Sequence, residues 1–414
     1  MAATLFTNIS IFDGTGTKPE RGEVRVEGNR IAGVARGESR LPRNGAAIVD
    51  GGGATLMPGM VEAHAHLSWT SAFDRIMTAT SMPPEEHLLI TARNARVTLD
   101  HGFTSAYSAG SLGMRFEIAL RDEINAGWLP GPRLKASSIE RAPGNIFGVP
   151  QAHDEGHSRG PEGMRAYIRS CAALGLDSVK LLLSGDDNFT PNGSQDLAYD
   201  EAEVEAAGAE ARRSGIWLAC HAQAAAAVKL GVRYGFRVLY HCSYADEEAL
   251  DLLEAKKDEI FVAPAVGLAQ AAITADPSFN LPEALVQRGH KILGLQMELV
   301  PKLRARGIRV LPGGDYGFPH NPIGRNARDL ELFVTKLGFT PEEALMAATK
   351  WGGEIMGMGD ELGLVKENYL ADLLLVDGDP TKDITLLQDR AKLIMIMKDG
   401  VYHKAPPERR ATNA

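Results

Sequence analysis

Two histidines two residues apart, His64 and His66, close a short apolar run that begins at Met57-Pro58-Gly59-Met60-Val61. On a β-strand, residues i and i+2 share a face. Both imidazoles therefore aim at one point, while the small Ala65 between them packs the other way. Pro58-Gly59 reads as the turn that delivers the chain into the strand. Two aligned imidazoles are half of a zinc site, although a pair of hydrogen-bonded histidines inside a sheet would give the same pattern. Further ionisable residues sit at the ends of later apolar runs: Lys180, His221, His241 and Asp315. Four neutral imidazoles and a carboxylate suit Zn2+ or a similar divalent ion. Lys180 lies in the apolar Ser178-Val179-Lys180-Leu181-Leu182. A lone lysine there would snorkel to the strand end or pair with an acid. Beside a divalent cation an ammonium is disfavoured, so the amine should lose its proton. It can then take up CO2 to become a carbamate, an anionic bidentate bridge between two metals.

Strands must carry these groups to one place. Eight strand candidates cover residues 60–66, 104–107, 133–137, 179–183, 217–221, 238–241, 261–263 and 310–315. Between them lie segments with apolar residues at helical spacing, such as 163–174, 201–214 and 246–255. This alternation argues for an α/β protein with a (β/α)8 TIM barrel, whose reactive residues sit at the C-terminal strand ends. A doubly wound sheet is the alternative, but no glycine-rich nucleotide loop follows the first strand. Thr340-Pro341-Glu342-Glu343 is a capping box with proline at the first helical position. Short alternating strands occupy residues 4–50, with a tight turn at Gly28-Asn29, and further strand patterns follow Ala371 and Ile394. One small β-sandwich domain built from both ends reconciles them. The expected division is 1–57 and 363–414 for that domain and 58–362 for the barrel.

The 414 residues carry a net charge of −9, with 44% hydrophobic and 23% charged residues. That balance argues against nucleic acid or an anionic membrane surface as partner. No apolar run reaches the roughly 18–20 residues of a membrane helix. The start shows no basic segment followed by a long apolar one, and three cysteines cannot pair completely; a reducing cytoplasm is expected. By strand alternation Cys220 and Cys242 point away from their neighbouring histidines and read as packing. His87, His101, His290 and His403 fall in or beside helices and receive no chemistry. His153 and His157, in the loop after the third strand, lie on the active face, where a cover over the site or a solvated loop would each fit.

These residues together resemble the amidohydrolase superfamily of metal-dependent hydrolases over nearly the full chain. The resemblance rests on Pro58-Gly59 leading to His64-Ala65-His66, on Val179-Lys180 with Ser184-Gly185, and on Cys220-His221-Ala222, Tyr240-His241 and Gly314-Asp315. The tail from Ala347-Ala348-Thr349 through Ala371-Asp372-Leu373 and Asp377-Gly378-Asp379-Pro380 is also typical. The lysine-containing, two-metal branch is the most similar, with its prolidase-like and arylamide- or phenylurea-hydrolysing members. That resemblance implies one metal on His64, His66 and Asp315, a second on His221 and His241, and carboxylated Lys180 (N6-carboxylysine) between them, Zn2+ being the expected ion. It further implies attack of a metal-bridging hydroxide on an amide carbonyl, with Asp315 as general base passing the proton to the leaving nitrogen. Relatives of this kind are often homo-oligomers.

The sequence departs from such relatives at Tyr107-Ser108, at Tyr240, in the bulky Asp315-Tyr316-Gly317-Phe318-Pro319-His320 loop and at Arg141-Ala142-Pro143-Gly144-Asn145. These departures leave the metal ligands in place and put a dipeptidase substrate in doubt, because loops set substrate choice. The expected reaction is cleavage of a C–N amide bond in a small molecule: an N-acyl amino acid, a dipeptide-like compound, an aryl amide or a phenylurea. Two other readings compete. A mononuclear deaminase or cyclic imine hydrolase would have no use for Lys180 as a ligand. A scaffold without catalysis would typically have lost ligands. Trp69, Tyr107, Phe189, Tyr316 and Phe318 lie just past strand ends and are candidate pocket aromatics. Arg325 reads as a surface residue that a substrate carboxylate could also use.

Overall fold

The computed structural model describes residues 3–72, 82–143, 159–187 and 193–407. The chain opens with β1 (Ala3–Ile11), β2 (Glu20–Glu27), β3 (Arg30–Arg36), β4 (Ala46–Asp50) and β5 (Thr55–Pro58). Their buried and exposed residues largely alternate, as one buried face requires. Gly28, at φ +60°, turns the β2–β3 hairpin.

Strands and helices then alternate: β6 (Met60–Ala65), α1 (Pro84–Asp100), β7 (Phe103–Ser108), α2 (Phe116–Asn125), β8 (Arg133–Lys135), α3 (Pro161–Ala173), β9 (Ser178–Leu182) and α4 (Glu201–Ser214). The pattern continues with β10 (Trp217–Ala224), α5 (Ala225–Arg233), β11 (Val238–Tyr244), α6 (Glu247–Ala255), β12 (Phe261–Ala263), α7 (Val266–Ile273) and α8 (Glu283–Ala305). Local chemistry starts several of these helices. Asp200 and Glu203 form a capping box on α4, and Asp246 caps α6.

All these strands run parallel. β6, β7 and β8 form one ladder and β9 to β12 another. A parallel bridge from Ser137 to Ser178 joins the two. β6, β9 and β10 are buried on both faces almost throughout, hence their near-continuous apolar runs. The eighth expected strand, 310–315, contributes only an isolated parallel bridge from Val310 to Val262. Pro312 brings no N–H to a ladder. Gly313 and Gly314 meanwhile press against their neighbours: a Cβ on Gly313 would lie 3.0 Å from the His64 nitrogen, and one on Gly314 2.4 Å from Asp329 Oδ1. The segment is shaped by close approach to β6.

The chain continues through α9 (Arg328–Lys336), α10 (Pro341–Ala348, with the Thr340–Glu343 capping box) and α11 (Lys350–Ile355) to β13 (Leu373–Val376), β14 (Leu393–Lys398) and β15 (Val401–Lys404). The first five and last three strands join in one sheet of order β15-β14-β13-β5-β1-β2-β3, with β4 on β1. The seam is β5 against β13, Pro58 opposite Leu373. This sheet has its own apolar core, including Phe6, Ile11, Leu56, Leu375 and Met395. Arg133 on β8 ties the parallel strands to it through Asp372 at 3.2 Å and Asp399 at 2.7 Å.

Candidate metal centre

His64 lies near the C-terminal end of β6 and His66 just past it, with 1% and 4% of their surface exposed. His66 Nε2 lies 3.1 Å and His64 Nε2 3.8 Å from Asp315 Oδ1. One ligand atom from each of the three residues falls within 4.8 Å of the other two. His66 Nδ1 sits 3.0 Å from the Gly110 carbonyl oxygen. A carbonyl oxygen only accepts, so that contact puts a proton on Nδ1 and turns Nε2 toward Asp315.

His221 and His241 complete the cluster, with ring centroids 4.4 Å apart, and His241 lies 5.5 Å from His64. Strand alternation alone does not achieve this. In the β10–β11 register His221 stands opposite Tyr240, and His241 opposite Ala222. Regular strands would send the two imidazoles to opposite faces. His241 at φ +71° and Cys242 at φ +53° take left-handed conformations instead, and the register shifts after Ala222. Asp315, at φ +59°, and Ala265, at φ +59°, do the same on neighbouring strand ends. Such conformations cost on the order of 1–3 kcal/mol each and persist where the surroundings impose them. Here they turn side chains toward one mouth. Cys220 and Cys242 are buried in the main apolar core, in keeping with packing.

Lys180 on β9 is fully buried. Its Nζ lies 3.3 Å from Glu140 Oε1 and 4.0 Å from the centre of the Tyr240 ring, and the same ring lies against His64, tilted, with centroids 3.9 Å apart. Burial and the Lys180 charge hold His64 well below the ordinary imidazole range, burial and His221 do so for His241, and burial lowers His221. His66 is buried too, but the hydrogen bond and charge of Asp315 raise it; Asp315 is lowered in return, against its own burial. Imidazoles beside an ionised carboxylate, three of them held below their ordinary range, are the donor set a divalent metal takes. His64 Nδ1 and Lys180 Nζ are buried without a hydrogen-bond partner. The residues fit a metal.

A buried network holds this arrangement. Glu62 Oε1 accepts from the His64 backbone N–H at 2.9 Å, and its Oε2 from Asn326 Nδ2 at 2.6 Å. Asp329 accepts from the Tyr316 hydroxyl at 2.8 Å and the Gly313 N–H at 3.1 Å. Burial pushes Glu62 up to about 8 and Asp329 up to about 6. Asn321 Nδ2 donates to the carbonyls of Gly314 and Asp315, fixing the loop that carries the carboxylate.

His66, His221, His241 and Asp315 line one cavity. Trp69 and Phe318, two of the expected aromatics, stand in its wall with ring centroids 5.2 Å apart. Tyr107 and Tyr316 do not. Tyr107 is fully buried and stacks on Trp217 at 6.3 Å, lower in the interior, while Tyr316 turns its hydroxyl to Asp329. Arg325 is exposed on the surface. Phe189, His153 and His157 lie outside the described residues, as do Gly144 and Asn145 of the 141–145 segment. Sequence reasoning missed Glu140, Asp186, Gln223, Arg288 and His320, all in the cavity wall. Gln223, two after His221, and Glu140, just past β8, carried a positional signal. Arg288 on α8 carried none.

A sequence profile described as the Amidohydrolase family matches residues 55–402. The chain belongs to that family, whose members are metal-dependent hydrolases, and is itself a hydrolase. It is 25% identical over 383 residues to an ochratoxinase of Aspergillus niger, covering 85% of this chain and 76% of that one. It is 26% identical over 410 residues to an imidazolonepropionase of Rubrobacter xylanophilus, covering 91% and 89%. Among solved structures, a Xaa-Pro dipeptidase with methionine bound in its active site superposes with a TM-score of 0.85 at 23% identity, covering 98% of this chain and 100% of that one. Among the described residues no helix is long and apolar enough to cross a membrane.

Proposed function

We propose that this protein hydrolyses a C–N amide bond of a small molecule at a binuclear metal centre. The observation that carries the reading is the convergence of four imidazoles, Lys180 and Asp315 from five segments of the chain, with His66, His221, His241 and Asp315 lining one cavity. His64, His66 and Asp315 would hold one ion, His221 and His241 the other, with carboxylated Lys180 between; the donor set suits Zn2+. Bound there, the ions would acidify a water and polarise the substrate carbonyl. The chain's own residues supply the rest. Asp315, kept ionised by His66, is the general base: its carboxylate takes the proton of the attacking water and returns it to the leaving nitrogen. The Gly110 carbonyl fixes the His66 ring, and Glu62 fixes the backbone at His64. Trp69, Phe318 and the apolar α7–α8 wall exclude bulk water and favour an apolar or aromatic substrate part.

In the same reading the parallel strands and the 310–315 segment close as a (β/α)8 barrel over residues 58–362. Residues 1–57 and 363–414 form the β-sandwich domain, and N-acyl amino acids, dipeptide-like compounds, aryl amides and phenylureas are the substrate candidates. The protein works in the cytoplasm, with a small molecule as its partner.

One observation favours a second reading. Glu140 already stands 3.3 Å from Lys180 Nζ as counter-ion to an ammonium. A lysine that stays an ammonium leaves a single metal, as in a cyclic imine hydrolase or deaminase. Metal analysis after reconstitution with and without bicarbonate separates the two. Two equivalents that depend on bicarbonate, with hydrolysis of members of the acyl-amino-acid, aryl-amide and phenylurea panel, support the binuclear amidase. One equivalent without bicarbonate dependence selects the second reading, and a metal-loaded protein that leaves the whole panel intact refutes the first.

A further inference from the structure

His320 stands five residues beyond Asp315, in the cavity wall, with 7% of its surface exposed. Neither ring nitrogen has a hydrogen-bond partner, and both are buried. Other histidines here are satisfied: His66 Nδ1 by Gly110 O, His87 Nε2 by Ser68 O at 2.6 Å, His101 Nδ1 by Val97 O at 2.7 Å and His403 Nε2 by Asp100 at 2.6 Å. His64 Nδ1 belongs to the metal cluster. Among the described residues, His320 is the histidine whose two ring nitrogens are both buried and both without a hydrogen-bond partner. A buried polar atom without a partner is costly and calls for an explanation.

The backbone on either side of His320 is fixed. Its loop is pinned by Gly317 N to Asn321 O at 2.9 Å, Asn321 N to Phe318 O at 3.1 Å and Ser71 N to Gly317 O at 2.8 Å. The imidazole is therefore held at the cavity, 6.0 Å from the Phe318 ring and beyond the Phe318–Trp69 pair. The other polar side chains named in the wall have partners: Arg288 pairs with Asp186, at 2.5 Å, and Asp187, Gln223 Nε2 donates to Asp186 at 3.3 Å, and Glu140 faces Lys180 at 3.3 Å. Burial lowers His320, so the ring is neutral near pH 7. A neutral imidazole carries one N–H donor and one lone-pair acceptor. A hydroxyl or carboxamide can reciprocate both; a carboxylate can use only the donor.

We propose that His320 is a specificity-determining substrate contact, pairing with an uncharged hydroxyl or carboxamide group on an apolar, ring-bearing part of the substrate. The proposal rests on the amide-hydrolase reading above for the reaction and on the cavity geometry for the contact.

The test uses metal-loaded wild type, His320→Leu and His320→Gln with benzanilide and its 2-, 3- and 4-hydroxy isomers on either ring. Turnover is followed as kcat and KM, and binding as Kd by calorimetry. Wild type is expected to prefer at least one hydroxylated isomer over benzanilide by about 10-fold or more, mainly in KM, the scale of one buried hydrogen bond. His320→Leu should bring that ratio to about one, and His320→Gln should restore part of it. Metal content should stay at the wild-type level. The unfolding temperature of His320→Leu should hold or rise, because two bare buried nitrogens are removed. A preference that survives in His320→Leu, or wild type that prefers no isomer, overturns the proposal. So does an unfolding temperature that falls by several degrees in both variants without selective loss, since that marks a structural histidine. If wild type hydrolyses none of these anilides, the reaction reading fails on this class, and the Kd ratios still decide the contact.

Discussion

Glu117 on α2 allows a perturbation whose size and sign follow from its position. The carboxyl is 1% exposed, and its Oε2 accepts from the Ser137 N–H at 3.0 Å, beside the bridge that joins the two parallel ladders. Burial is the main cause that lifts it from its ordinary 4.5 to about 7, with hydrogen bonds opposing. A carboxyl whose folded value is raised binds its proton more tightly in the folded state. Its favourable contribution is therefore whole below pH 4.5 and is lost as pH rises through about 7. A gap of one pKa unit is worth about 1.36 kcal/mol, so the interval from 4.5 to about 7 amounts to about 3 kcal/mol at pH 8 and to under about 1 kcal/mol at pH 5. Glu117→Gln keeps the shape and an acceptor for Ser137 while removing the ionisation. The variant is expected to gain about 2–3 kcal/mol over wild type at pH 8 and under about 1 kcal/mol at pH 5. Guanidinium unfolding at both pH values, compared at equal slope, measures this. Equal midpoints at pH 8, or a gain of the same size at both pH values, would refute the argument that the buried carboxyl titrates near neutrality.

Three further outcomes are expected. Asp315→Asn should keep the fold and lower kcat at least about 100-fold, the scale of a general base; steady-state kinetics within a few-fold of wild type would place the base elsewhere. His64→Ala or His66→Ala should lose bound metal and turnover together with circular dichroism unchanged, and full metal content with full activity in either would remove these residues from the site. Arg133→Met should cost about 3 kcal/mol, because Asp372, 2% exposed, is left as a buried charge without its cation; denaturant midpoints that move by less than a third of that would show the tie to be dispensable.

The parts of the site that follow a local period were legible in the sequence. His64 and His66 share a face because strands repeat every two residues, and Lys180 is buried because its neighbours on β9 are apolar on both sides. The seven ladder strands of the middle fall within two or three residues of the expected ones, since hydrophobic runs fix them. What tertiary packing decides was not legible. Period-two counting places His241 on the wrong face for its register; only the left-handed turn at His241 and Cys242 brings it to His221, and nothing in those residue types announces φ above +50°. Tyr107 and Tyr316 stood at strand ends by count, but counting along a strand does not tell how deep a side chain lies. Arg288 comes from a helix some hundred residues beyond its partner Asp186, a separation no motif spans.

The seam between β5 and β13 has a consequence for how the molecule is made. Pro58 pairs with Leu373, which follows it 315 positions later in the chain. At about 5–20 residues per second of synthesis, β5 waits roughly 15–60 s for its neighbour. During that time Leu56 and Met57, fully buried in the finished protein, stand beside an open strand edge, which invites pairing with another chain. The last three strands thus act as a clasp that closes after everything between has been translated. A nascent chain cut short before Leu373 keeps that edge open, and its fate is decided by chaperones and neighbours on the polysome before any metal is bound.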